Sequence, residues 1–314
     1  MKFRHLAATA TGALGAAAAA NRVLAGRADP LQSPLPGDVG HMRWRGFDVT
    51  YAEAGDPGDR DLLLLHGVHA AASNKEFDRV VDRLAEDYHV IAPDLPGFGM
   101  SDRPPLVYSA SLYEAFVADA ARELTDDAVC IASSLTASYA VAAQRETGAF
   151  SRLVLVAPTD ETGPRRTWLR SLIRSPVVGT ALFNALTSKR SLGAFARQQA
   201  VEDPSAITPD DVAHLWQTAH QSGAKFAPAS FVSGFLDPAI DLPDAFAAVD
   251  APVTLVWGRE ASMPPLSSGR RLAESTDSRL VVVDGARLLV HHEHPDLLLE
   301  SLEAELPALS RSSG

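Results

Sequence analysis

Short apolar runs of strand length recur along the chain, at residues 42–53, 61–65, 88–92, 128–132, 152–157, 252–257 and 279–283. Most are apolar throughout, as expected of strands buried on both faces. Between them, residues 76–86, 111–125 and 138–147 carry apolar positions at helical spacing. Alternation of strand and helix predicts an α/β domain with a mostly parallel sheet covered by helices on both sides, whose ligands bind at the carboxyl ends of the strands. One interval breaks the alternation. From 158 to 251 the pattern is helical (168–173, 177–186, 210–221) and almost free of strand character. It reads as a helical cap inserted after a strand, above the binding crevice. The chain therefore divides into a leading segment and linker (1–40), an α/β core (41–157 with 252–314) and the cap (158–251).

The leading segment has its own pattern. Lys2 and Arg4 precede an uncharged, Ala-rich stretch from 6 to 20, with small residues at 18–20 suited to signal cleavage. It reads either as a signal peptide or weak membrane anchor, or as a solvated or docked helix. Fifteen residues fall short of the roughly 20 that span a bilayer. The location is accordingly cytoplasmic, or membrane-associated or exported through this segment.

The 314 residues include 28 Lys and Arg against 39 Asp and Glu, a net charge of −11. With no basic run, nucleic-acid binding is not expected. The one cysteine, Cys130, excludes an internal disulfide and a cysteine zinc site, and its apolar surroundings mark it as a buried packing residue. Neither a metal nor a cofactor is expected.

Three segments carry candidate chemistry: L-L-L-L-H-G at 62–67, A-P-D-L-P-G-F-G-M-S-D-R-P at 92–104 and I-A-S-S-L-T-A at 131–137. In this order and spacing they resemble the α/β-hydrolase superfamily, from about residue 42 to 306. The resemblance implies a nucleophile on a sharp strand-to-helix turn, usually G-x-S-x-G. Here the turn is Ala132-Ser133-Ser134-Leu135-Thr136, which makes Ser134 the nucleophile and replaces both glycines. It also implies an oxyanion hole from the backbone N–H groups of Val68 and Leu135. His66 is structural in this pattern, and His69 is a pocket candidate together with Trp168 and Trp216.

The rest of the implied triad is altered. Relatives place an acid within W-G-x-D-D, where this chain has Trp257-Gly258-Arg259-Glu260-Ala261; Glu260, or Asp160 or Glu161 after the strand at 152–157, is the available carboxylate. Relatives read G-A-G-H-x-x-H-x-E-H-P where this chain has Gly285-Ala286-Arg287-Leu288 and then His291-His292-Glu293-His294-Pro295. Leu288 stands at the base position, and His291, three residues on, is the replacement. His69 is a second candidate base, and local packing is the alternative role for His291. A serine without a base is a poor nucleophile. Two functions follow: hydrolysis of a small or medium apolar ester or other acyl compound through an acyl-enzyme on Ser134, or, in a catalytically impaired homologue, binding of an apolar ligand or a partner. A cofactor-free lyase or oxygenase is a third, weaker reading.

Overall fold

The structure, a computed structural model, describes residues 2–303 and 305–306, with side chains from residue 14 onward. Eight strands form one sheet in the order β1-β2-β4-β3-β5-β6-β7-β8. They are β1 (Asp38–Trp44), β2 (Phe47–Ala54), β3 (Arg60–Leu65), β4 (Tyr88–Pro93), β5 (Ala128–Ser133), β6 (Phe150–Val156), β7 (Val253–Gly258) and β8 (Arg279–Val283). The strand β2 runs antiparallel to both β1 and β4, and the other pairings are parallel. The single run expected at 42–53 is thus part of a hairpin. Arg45 (φ +46°) and Gly46 (φ +90°) form its two-residue turn, with both residues in the left-handed region that such tight hairpins require.

The chain begins with helix α1 (Lys2–Ala25). The helix expected at 76–86 is instead a 3-10 turn at Asn74–Phe77 followed by α2 (Val81–Leu84). Helices α3 (Ala110–Leu124) and α4 (Ser134–Thr147) pack against each other beside the sheet. Between β6 and β7 come α5 (Thr167–Arg174), α6 (Val177–Leu186), α7 (Lys189–Phe195), α8 (Pro209–Ala219), α9 (Phe226–Phe231) and α10 (Leu242–Phe246), with no strand among them. Then follow α11 (Leu266–Thr276), α12 (Val290–Glu293) and α13 (Pro295–Ser301).

The sheet buries apolar side chains on both faces. Leu63 and Leu65 point into one core with α3 and α4, while Leu62 and Leu64 point into the other with Phe77, Val81 and Leu298. This is the period-2 alternation of a strand covered on both sides, and it explains why the run from 62 to 65 is apolar throughout. Cys130 is buried in the first core and its thiol is pushed up by desolvation, as a packing residue should be.

The D-L-P-G-F-G-M-S-D segment works as a clamp. Asp94 accepts from the N–H groups of Asn74 (2.8 Å) and Met100 (2.6 Å), and the Ser101 hydroxyl donates to the Asp94 carbonyl (2.6 Å). Gly99 is obligatory there, because a Cβ would stand 1.9 Å from the Asp94 carboxyl group. The clamp holds the end of β4 against the turn that carries residues 73–77, which also borders the candidate site.

Candidate active site

Ser134 occupies the corner between β5 and α4 with φ +54°, one of the few non-glycine residues in the left-handed region. Such a conformation costs a branched or polar residue of order 1 kcal/mol or more and persists where the surroundings impose it. The surroundings here are tight. Ala132 is fully buried, and Thr136, where relatives have glycine, is also fully buried with its hydroxyl donating to the His66 carbonyl at 2.7 Å. The branched side chain is accommodated by a bond between the elbow and the loop after β3.

That loop is fixed from below by His66, whose Nδ1 donates to the Gly67 carbonyl (2.7 Å) and whose Nε2 accepts from the Leu95 N–H (3.0 Å). The two bonds require the neutral ring. Val68 and Leu135, the two residues expected from the sequence to supply oxyanion-hole N–H groups, are both buried. No hydrogen bond engages either N–H among the described residues.

A group that sequence reasoning missed lies at the centre. Glu76, on the 3-10 turn, accepts from the Gly67 N–H through Oε2 at 2.9 Å. A Cβ built on Gly67 would stand 3.4 Å from that oxygen, 3.4 Å from Ser134 Cβ and 3.5 Å from Ser133 Oγ, so the carboxylate and both serines converge on one glycine. His291, at 1% exposure, brings Nε2 to 3.3 Å from Glu76 Oε1, close but not aligned as a hydrogen bond, and stacks on Phe77 with ring centroids 5.2 Å apart. Burial alone would raise the Glu76 carboxyl, but His291 and the Ser133 hydroxyl outweigh it and hold the group down to about 2. The carboxylate is charged at neutral pH. Both His291 nitrogens lack a hydrogen-bond partner among the described residues. His69 sits in the same loop, its Nδ1 accepting from the Ala71 N–H at 3.2 Å. Burial drives it down to about 4 against the pull of Glu76, so it is neutral at pH 7.

The residues at the usual acid and base positions both lie in one apolar cluster. Ala261 and Leu288 pack in one cluster with Trp257, Leu266 and Ala157. Glu260 is held elsewhere: its Oε2 accepts from the Ala286 N–H at 3.1 Å, and its own N–H donates to the Ala286 carbonyl. Asp160 is half-buried next to Thr159, whose N–H reaches the Ser134 carbonyl at 3.4 Å, while Glu161 is exposed. Of the pocket candidates, Trp168 is 66% exposed, and Trp216 stacks on His220 with centroids 4.4 Å apart. His292 and Glu293 bind the inserted helices: His292 Nε2 lies 3.2 Å from the Ala206 carbonyl, and Glu293 Oε1 accepts from the N–H groups of Glu202 and Asp203. His294 Nε2 turns back to the Gly285 carbonyl.

The model of the alpha/beta hydrolase family matches residues 62–301. The chain belongs to this family. Among curated proteins, the uncharacterized hydrolase YugF of Bacillus subtilis is 25% identical over 269 residues, covering 82% of this chain and 93% of that protein. The uncharacterized hydrolase YNR064C of Saccharomyces cerevisiae is 46% identical, but over 59 residues that span only 20% of its length. Among solved structures, an esterase from Rhodococcus superposes with a TM-score of 0.67 at 22% identity, covering 86% of this chain and 99% of that one. Cfl2 from Burkholderia cenocepacia gives 0.70 at 21% identity, covering 85% and 94%.

Within this alpha/beta hydrolase, the helices between β6 and β7 are tied to the loop that bears Glu76. Lys75 Nζ reaches Asp78 Oδ2 at 2.5 Å and Asp211 Oδ1, on α8, at 3.1 Å. Ser73 Oγ lies 3.1 Å from His214 Nε2, also on α8. Nothing in the sequence singles out Glu76, which stands in the charged stretch Lys75-Glu76-Phe77-Asp78-Arg79.

Proposed function

We propose that the protein is a serine hydrolase of a small or medium apolar ester or related acyl compound, with residues 158–251 as a cap over the site. The observation that carries this reading is the approach of Ser134, held at φ +54°, and Glu76 to the same Gly67, with the buried His291 ring beside Glu76. Glu76 takes the place of the missing acid and His291 that of the missing base.

The chemistry then runs as follows. With Nε2–H facing Glu76, the lone pair of His291 is on Nδ1, which takes the proton of the Ser134 hydroxyl as its oxygen attacks the acyl carbonyl carbon. The carbonyl π pair moves to oxygen, where the Val68 and Leu135 N–H groups receive it; one such donor is typically worth about 3 kcal/mol in the transition state. Collapse expels the alkoxide, which takes the proton from His291, and leaves an acyl group on Ser134. Water, deprotonated by the same nitrogen, then attacks the acyl carbon, and collapse breaks the bond to the Ser134 oxygen, which takes the proton back from His291 as the acid leaves.

A second reading rests on a separate observation. Ala261 and Leu288, at the usual acid and base positions, both join the apolar cluster around Trp257 and Leu266, which suits an impaired homologue that binds an apolar ligand. Labelling with a fluorophosphonate distinguishes the two. Adduct on the parent chain that is lost in both Ser134→Ala and His291→Ala supports the hydrolase. A folded parent that takes no label overturns it, and favours binding.

A further inference from the structure

The charge of the chain is sharply divided along its length. Residues 1–28 hold four basic residues and no acidic one, and residues 162–201 hold seven basic residues and no acidic one. All 39 acidic residues lie elsewhere, against the other 17 basic ones. The two basic segments are far apart in sequence and adjacent in the fold. The helix α1 packs on α6, with Asn21 Nδ2 donating to the Val177 carbonyl at 3.0 Å and Asn184 Nδ2 donating to Asn21 Oδ1 at 3.1 Å. Helices α5 and α7 flank α6 in turn.

The same group of helices exposes apolar surface. On α6, Gly179 and Phe183 face inward, while Val178, Ala185 and Leu186 recur at helical spacing on an outer side, Leu186 at 58% exposure. Trp168 on α5 and Phe195 at the end of α7 are also exposed. From residue 14 onward α1 turns Ala17, Asn21 and Leu24 toward the body at i, i+4 and i+7, leaving Leu14, the alanines 18–20 and Val23 in solvent. On these helices or in the residues next to their ends, Arg22, Arg27, Arg165, Arg166, Lys189 and Arg190 are exposed. Exposed apolar side chains interspersed with cations, on a chain that is otherwise strongly acidic, match an interfacial membrane surface and would be costly in contact with water alone.

We propose that α1 together with α5, α6 and α7 forms a docking face for the surface of a bilayer containing anionic lipid. The apolar residues enter the headgroup boundary and the arginines and lysines meet lipid phosphates. No described helix is long and apolar enough to cross the membrane, so the contact is in the plane of the interface. Charge repulsion from the acidic remainder orients the protein with this face toward the lipid. The proposal stands independently of whether Ser134 is active.

The test is flotation of the full-length purified chain with vesicles of phosphatidylcholine alone, or with one third phosphatidylglycerol, at 50 mM and 500 mM salt. Binding to the anionic vesicles at low salt, weakened at high salt, is expected. A basic residue near such a surface contributes about fivefold in partitioning, so Arg165→Gln, Arg166→Gln and Arg190→Gln together reduce it by about a hundredfold. A second variant, Val178→Ser with Leu186→Ser, lowers partitioning at both salt concentrations. All variants are checked for an unchanged melting temperature. Three results overturn the proposal: no flotation on anionic vesicles, equal flotation on neutral vesicles that ignores the arginine changes, or self-association that the serine variant abolishes while lipid binding is absent.

Discussion

Replacing Glu76 by Gln isolates the central charge of the site. The glutamine keeps the volume and an oxygen to accept from the Gly67 N–H, so what is lost is the carboxylate facing His291. The folded-state carboxyl is held at about 2 against an ordinary value of 4.5. At ~1.4 kcal/mol per tenfold change in proton affinity, that difference is worth about 3 kcal/mol. A depressed carboxylate contributes its stability above the unfolded value and loses it as pH falls toward the folded value. The contribution is therefore complete above about pH 5 and fades between 4.5 and 2. Urea unfolding of parent and Glu76→Gln at pH 7, 5, 4 and 3 reads this directly. The parent should lead by about 3 kcal/mol at pH 7, and the gap should narrow steadily below pH 4.5. Asp78, also held down to about 2, titrates in the same window in both proteins and cancels in the comparison. A gap that stays constant from pH 7 to 3 would mean that the glutamine merely packs badly, and the electrostatic account of the pair would be refuted. On the catalytic side, an orienting acid changed to its amide typically costs about 10⁴-fold in kcat; a loss in KM alone would remove Glu76 from the base's partner role.

Ser134→Gly should raise unfolding free energy by about 1 kcal/mol, because glycine accepts φ +54° without the cost a side chain pays, while abolishing hydrolysis; a less stable glycine variant would show that the elbow is not strained. Thr136→Val strands the His66 carbonyl within the elbow and should cost about 1–2 kcal/mol in urea unfolding; a neutral result would mean that the bond only replaces packing. Ala261→Asp with Leu288→His puts polar groups into the cluster around Trp257 and Leu266 and should cost about 2 kcal/mol or more. The same double variant should speed labelling of Ser134 by a fluorophosphonate, and an unchanged labelling rate would show that these positions no longer face the serine.

The parts of the fold that are legible in the sequence are those set by local pattern. Strands buried on both faces read as unbroken apolar runs, and β3 to β8 stand where such runs occur; the hairpin at Arg45-Gly46 was hidden inside one run because its turn requires left-handed backbone at an arginine that gives no sign of it. The elbow at Ser134 was legible for a similar reason, since a tight turn imposes small residues at known offsets, and the departure at Thr136 is answered by a single bond that only the tertiary structure supplies. Glu76 could not be found this way. A carboxylate nine residues beyond the motif glycine of its loop looks like any solvated charge, and its place in the site arises because the Asp94 clamp draws residues 73–77 beneath Gly67 while α12 carries His291 in from the far end of the chain. When Ala261 and Leu288 close the old acid and base positions with apolar surface, a serine chemistry can survive only if a charge and an imidazole already buried nearby take over. In the proposed hydrolase Glu76 and His291 are that pair, and their geometry is specified by contacts 215 residues apart.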